Sequence, residues 1–377
     1  MKRMCMLVIT AVLLLLLAPH SFAEDAALLR EQAEQSGATG LLDTLPEEVR
    51  DTLEDRGVSP EDASGIIDLS PGAVLEGLFS MVKKQWGGPL RILGSLVGIL
   101  LLCAVLEGLR DTAGKTPLAE TFQLVGVLAC AGVIAAPVIE CLTSAGEALR
   151  SGGNFLLAFV PVFSSVSAVS GSVSSSAAYY GILIVVAEGS IRLASGVLIP
   201  LLGAFLALSV TAAVCPQLNL TSLATGLRTA AVWMIGILAT VFVGLLTVQG
   251  FAGSAVDSVG ARAAKFAVSS AVPVVGSALS DAISAVRGSL GVLKTAVGGF
   301  GIVAGLLLLL PTILSTLLLR LSLGVAAFVG EALGASHVAA LMKGAGATLM
   351  VVLAILACFC VMLVVSTAAL LLLGLGI

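Results

Sequence analysis

Long apolar stretches separated by short polar connections dominate the chain from residue 90 onward. Each stretch has roughly the 20 residues that an α-helix needs to cross the hydrocarbon core of a bilayer. The pattern therefore predicts an all-α, polytopic membrane domain over residues 90–377. Its seven predicted spans are Arg91–Arg110, Thr121–Leu142, Ala177–Ser195, Ile199–Pro216, Thr229–Gln249, Gly299–Leu319 and Ala347–Leu373.

The composition agrees with lipid as the solvent of this domain. Apolar residues make up 58% of the chain, charged residues only 11%, and the mean hydropathy is +1.12. Soluble domains have about 25% charged residues. The 42 glycines would let membrane helices approach one another closely.

The first 23 residues have the pattern of a secretory signal peptide. Lys2 and Arg3 precede the apolar stretch Met4–Ala18, and small residues stand before a cleavage site after Ala23. The alternative is an uncleaved first span, but about 15 apolar residues are short for crossing a bilayer. We therefore expect residues 1–23 to be removed and the mature N-terminus to lie outside the cytoplasm.

Residues 24–89 form the one segment that resembles a soluble region, an acidic extracytoplasmic arm. Residues 24–88 hold fourteen acidic and five basic side chains. Three short helices are predicted: residues 25–35, a second capped by Thr44 and stopped by Gly57, and a third that opens at Pro71. The third has an apolar face that ends at Trp86. It is predicted to lie on the membrane surface, and the alternative is that the arm docks a partner.

Two segments, 143–176 and 250–298, are too long for ordinary loops and rich in small residues. Each contains Val-Pro-Val, in "NFLLAFVPVFSSVSAVSGS" and "KFAVSSAVPVVGSALSDAIS". The match predicts an internal repeat, residues 90–198 and 199–320, of which the second copy is inverted as in many transporters. The hypothesis makes both segments re-entrant hairpins with tips at Pro161 and at Pro273–Gly276. The alternative is chance similarity between two surface helices.

Charged residues at or near membrane depth are the candidate functional positions. A charge at the bilayer centre costs roughly 2.5–3.5 kcal/mol on insertion scales, so charges persist there when paired, hydrated or useful. The candidates are predicted to line a polar pathway or to dock a partner. Glu188 and Arg192 are four residues apart and can pair on one helix face. For the charges between residues 257 and 294 the alternative is a solvated cytoplasmic helix pair. The candidates are Glu188, Arg192, Asp257, Arg262, Lys265, Asp281 and Arg287.

The sequence gives no sign of an enzyme. It contains no nucleotide-binding loop, no nucleophile elbow and no HExxH zinc motif. Its seven cysteines have no CxxC spacing and its histidines are only His20 and His337. We therefore expect no catalytic residues, no metal, no cofactor and no nucleic-acid partner.

The run "TVQGFAGSAVDSVGARAAKFAVSSAVPVVGSALSDAISAV…LKTAVGGFGI", Thr247 to Ile302, resembles the stage III sporulation protein AE family. The resemblance implies a multi-pass protein of the mother-cell membrane that faces the forespore. It also implies membership in the stage III sporulation A complex, a secretion-type channel needed for late forespore development. The implied partners are other proteins of that complex, including a separate cytoplasmic ATPase, and stage II sporulation protein Q.

Two other functions remain open at this point. One is a stand-alone secondary transporter of a small solute, which the predicted inverted repeat would suit. The other is a membrane scaffold that conducts nothing.

Overall fold

Helices form nearly all of the part of the chain that the computed structural model describes, residues 33–60, 71–113, 118–169, 173–214, 220–271 and 276–372. Within helical residues 106–113, 118–123, 247–271 and 276–289 only the backbone is described. No strand occurs among the described residues. The protein is an all-α membrane protein, as predicted; the predicted signal peptide lies outside the described residues.

The helices, in chain order, follow a short 3₁₀ turn at Thr39–Thr44. They are α1 (Glu47–Glu54), α2 (Pro71–Gln85), α3 (Gly87–Ala113), α4 (Leu118–Val169), α5 (Val173–Leu193), α6 (Ile199–Val214), α7 (Leu220–Ala271), α8 (Gly276–Ala332) and α9 (Ser336–Leu372). Within the described ranges, six helical segments are long and apolar enough to cross a membrane. They are Gly87–Val105, Leu124–Ala168, Tyr180–Val214, Ser222–Leu246, Leu290–Ala332 and Ser336–Ala368.

One continuous rod replaces two of the predicted spans, Ala177–Ser195 and Ile199–Pro216. Helices α5 and α6 are joined by a π-helical segment, Ala194–Leu198, without a chain reversal. Ile191 packs on Gly153 of α4 and Ile199 packs on Gly146, so the rod keeps one antiparallel register along α4. The prediction of two spans here is wrong because Arg192 and the glycines around it interrupt the apolar pattern without ending the helix.

The π-helical segment keeps one face of this rod buried. Ser190, Ala194, Leu198 and Leu202 are all buried at successive steps of four residues. In a regular α-helix each such step overshoots a 3.6-residue turn by about 40°, so three steps would carry the face well out of the core. The wider π turn offsets this drift.

Helix α4 also differs from the prediction, because Pro161 lies inside it. The helix runs unbroken for 52 residues through Pro137 and Pro161. Phe155, Phe159 and Phe163 are buried on both sides of Pro161 and stack with ring centroids 5.5 and 5.2 Å apart. The stack requires helical spacing, so the predicted hairpin tip at Pro161 is wrong.

The second predicted tip falls between two helices. Helix α7 ends at Ala271 and α8 begins at Gly276, while Pro273 lies outside the described residues. Helices α4 and α7 are both 52 residues long, and the inverted repeat stays a prediction. Whether the second hairpin is re-entrant stays a prediction.

Glycines and aromatic side chains hold the long helices together. Gly301 of α8 lies against the ring of Phe159, and Phe300 meets Phe155 edge to face at 6.5 Å. Gly298 and Gly305 of α8 receive Leu371 and Leu363 of α9, which fixes an antiparallel register. Close helix approach over small residues is the usual basis of packing in membranes.

The acidic arm packs on the membrane domain. Leu41, Leu45 and Leu53 join the same buried cluster as the stacked phenylalanines. The Thr44 hydroxyl donates to the Leu41 carbonyl (2.7 Å), and no side chain caps α1, so the predicted Thr44 cap is wrong. Gly57, which was predicted to stop this helix, does follow the end of α1. Its φ of +64° is a conformation that glycine adopts readily.

Helix α2 starts at Pro71 as predicted, and its exposed apolar side chains fit the predicted place at a membrane surface. Phe79 is 73% exposed and Trp86 is 48% exposed. Helix α2 ends at Gln85, and α3 begins directly after it at Gly87.

We predict opposite effects for two glycine substitutions in α8. A Cβ at Gly301 would overlap the ring of Phe159, which the aromatic stack holds in place. Gly301→Ala should destabilise the protein by about 1–3 kcal/mol, as overpacking does. Gly291→Ala, where a Cβ meets open space, should be neutral or stabilise by about 0.5–1 kcal/mol. Thermal unfolding in detergent measures both, and equal effects would contradict this packing.

Candidate functional site

Three helices each have a long segment without a charged side chain at a shared depth of the bundle. These segments are Thr229–Val256 in α7, Thr295–Leu319 in α8 and Gly344–Leu372 in α9. Each is long enough to cross about 30 Å of hydrocarbon. We call the part of the bundle that these segments share the apolar layer.

Charged residues bound the apolar layer consistently. Because α7, α8 and α9 alternate in direction, Arg228, Arg320 and Lys343 lie at one boundary, and Asp257 and Lys294 lie at the other. At the first boundary, Lys343 forms an ion pair with Glu331 across the α8–α9 connection. Charges at both ends of an uncharged stretch are expected where helices leave the hydrocarbon.

Helix α4 passes through the apolar layer. Leu149 lines a cavity of about 10 Å³ together with Ile235 and Leu238 of α7 and with Ile355 and Cys358 of α9. These four partners of Leu149 lie inside the charge-free segments. Leu149 therefore lies at the depth at which α7, α8 and α9 carry no charge.

A polar stripe runs along the exposed face of α4 at this depth. It consists of Glu140, Thr143, Glu147, Arg150 and Asn154, all exposed. Steps of three and four residues place them on one side of a helix. The opposite side of α4 carries the stacked phenylalanines, so the helix is apolar towards the bundle and polar towards the outside.

A second charged feature, the α5 ion pair, lies at the same depth. Arg192 donates from Nη2 to Glu188 Oε1 at 2.7 Å and from Nε at 3.2 Å. Their side chains are 79% and 48% exposed. Ile191, next to Arg192, packs on Gly153 of α4, beside Asn154. The pairing predicted for Glu188 and Arg192 is thus present.

The polar stripe is unsuited to lipid. Each charge at the bilayer centre costs roughly 2.5–3.5 kcal/mol on insertion scales. Glu147 and Arg150 are too far from the boundaries of the layer to be explained as helix-end residues. This face of α4 is therefore suited to water or to another protein.

The cavity beside Leu149 is too small for a ligand. About 10 Å³ is the space that one water molecule needs. Its polar lining is Ser190, which is 2% exposed and donates to the Val186 carbonyl at 2.6 Å. Among the described residues no group of three His, Cys, Asp or Glu could hold a metal ion.

The other predicted site residues lie in the α7–α8 hairpin. Gly276 is the first residue of α8, and the charged candidates are in helical backbone whose side chains are outside the described set. They are Asp257, Arg262, Lys265, Asp281 and Arg287. Lys294, just beyond them, is 3% exposed.

Comparison with known proteins identifies the chain. The family model described as Stage III sporulation protein AE matches residues 58–374. The chain belongs to this family. It is similar to a protein of Bacillus subtilis (strain 168) named "Stage III sporulation protein AE", with 27% identity over 294 residues, 74% of this chain and 72% of that protein. No solved structure matches the chain.

Membership in this family makes the chain a sporulation protein, and its long apolar helices make it a membrane protein.

The polar stripe lies inside the region that the family model matches. Glu147 and Asn154 were not among the predicted site residues, because residues 143–176 were assigned to a hairpin. The signal that could have revealed them is the three- and four-residue spacing of polar side chains from Glu140 to Asn154.

We predict strong coupling within the α5 ion pair. Glu188→Gln or Arg192→Gln alone leaves one unpaired charge within the apolar layer, whereas the double variant leaves none. A double-mutant cycle on thermal stability should give a coupling of about 1–3 kcal/mol.

The matched control is Glu331→Gln with Lys343→Gln at the boundary of the layer. Exposed pairs in water contribute about 0–1 kcal/mol, so that cycle should give little coupling. Equal coupling in the two cycles would contradict the depth assigned to Glu188 and Arg192.

Proposed function

We propose that this chain is an integral membrane component of a sporulation-specific, secretion-type channel that links mother cell and forespore. In this proposal it lies in the mother-cell membrane facing the forespore and is needed for late forespore development. The observation that carries the proposal is the polar stripe of α4 inside the apolar layer. Charged side chains at that depth need water or a partner, and a protein that helps to enclose a hydrated path supplies them with water.

Family membership supports the biological setting. The resemblance implies that the other stage III sporulation A proteins, including a cytoplasmic ATPase, act with this chain. It also implies that stage II sporulation protein Q is a partner on the far side of the complex. An energy source in a separate ATPase agrees with a chain whose sequence has no nucleotide-binding loop.

The charged α7–α8 hairpin has a part in the proposal. We infer that Arg262 and Lys265 dock a cytoplasmic partner or line the path beside the predicted tip at Pro273–Gly276. Neutralising both should lower late forespore gene expression, and full expression would leave only the solvated-helix alternative.

The decisive variant removes the charges of the polar stripe. In an endospore-forming host that lacks its own copy, Glu147→Gln with Arg150→Gln should leave membrane insertion and co-purification with the complex intact. We expect it to abolish a late forespore reporter. Arg228→Gln, at the boundary of the apolar layer, is the control and should retain the reporter.

The alternatives predict different results. A non-conducting scaffold would keep full reporter activity in the stripe variant as long as the complex assembles. A stand-alone secondary transporter would move a solute in liposomes that contain only this chain. Either result would overturn the proposed channel role.

A further inference from the structure

The exposed face of α4 extends beyond the polar stripe. Towards the N-terminal end of the helix the same face continues through Ala129, Gly132 and Ala136, all exposed. A Cβ at Gly132 would meet no atom within 4 Å. Val125 and Ile139 are exposed on the same side. One half of the face therefore combines small and larger apolar side chains, and the other half carries polar side chains of both signs.

These two halves meet different needs of one helix–helix contact. Small residues let a second backbone approach closely. Polar side chains at membrane depth need partners or water. A lipid-facing surface needs no polar side chains at membrane depth. The exposed face of α7 is of that kind, with Val232, Ile237 and Val241 all about half exposed.

We propose that a second copy of this chain docks on this face of α4, which makes the protein a two-fold dimer around paired α4 helices. Copies in one membrane have the same orientation. A two-fold axis along the membrane normal therefore places the same residue of each α4 helix at the same height.

The charge pattern of the stripe is complementary to itself in this arrangement. Glu147 and Arg150 are three residues apart, so they differ in height by about 4.5 Å. Arg150 of each copy can therefore bind Glu147 of the other, in two symmetric ion pairs. The amide of Asn154 both donates and accepts, so it can pair with the same residue of the second copy.

The inference does not depend on the proposed channel role. A dimer could form in a scaffold as well, and a channel component could act as a single copy. A cross-linking experiment can use this chain alone, so its failure would leave the sporulation experiment unaffected.

Disulfide cross-linking in membranes tests the dimer. The chain is expressed alone in a host that does not sporulate, with its seven cysteines replaced and one cysteine introduced at Ala136. Mild oxidation should give a disulfide-linked dimer. A cysteine at Gly236, which has open space around it on α7, is the control and should give no dimer.

Two further changes separate a specific contact from collision. Gly132→Leu should abolish the Ala136 cross-link and leave membrane yield and melting temperature unchanged, because the space around Gly132 is open within one copy. Arg150→Glu should also abolish it, and adding Glu147→Arg should restore it by exchanging the charges.

Several results would overturn the inference. These are equal cross-linking at Ala136 and Gly236, a cross-link that survives Gly132→Leu, and the absence of a cross-link when the chain is expressed alone. If the same Ala136 cysteine variant, expressed in an endospore-forming host, cross-linked to another complex protein in place of the dimer, a different partner would cover the face.

Discussion

The cost of placing charge in hydrocarbon is the constraint on which the rest of the structure depends. Helices α7, α8 and α9 obey it, since each crosses the apolar layer without a charged side chain. Helix α4 crosses the same layer and carries Glu147 and Arg150 on its exposed face. The exposed face of α4 thus breaks a rule that three neighbouring helices follow, which distinguishes it from a lipid-facing surface.

The packing on the other side of α4 makes this departure tolerable. Phe155, Phe159 and Phe163 stack along the helix, and Gly301 brings α8 against Phe159. The antiparallel α5–α6 rod adds contacts at Gly146 and Gly153. The helix is thus held by its apolar side, so that its polar side is free to serve a partner or water.

Much of the fold could be predicted from hydrophobic patterning, but not the features that depend on tertiary contacts. The all-α membrane class and the starts of helices such as Pro71 follow from local sequence. Whether Pro161 ends a helix depends on the buried phenylalanines around it. Whether Arg192 separates two spans depends on the register of Ile191 and Ile199 along α4. The Glu188–Arg192 pair was found because its spacing is local. The polar stripe was missed because residues 143–176 were assigned to a hairpin before their helical spacing was considered.

Spin labels at residues 154 and 241 would test the central claim most directly. Asn154 lies on the polar stripe about one and a half turns beyond Leu149. Val241 lies about one turn beyond Leu238, which lines the same cavity as Leu149. In lipid bilayers, the label at 241 should respond mainly to oxygen dissolved in the hydrocarbon and little to a water-soluble relaxation agent. The label at 154 should respond much less to oxygen than the label at 241, because it faces water or a protein partner. If both labels responded to the water-soluble agent, the apolar layer would not be the membrane-spanning part. If both responded mainly to oxygen, the polar stripe would face lipid, which would contradict its assignment to water or a protein partner.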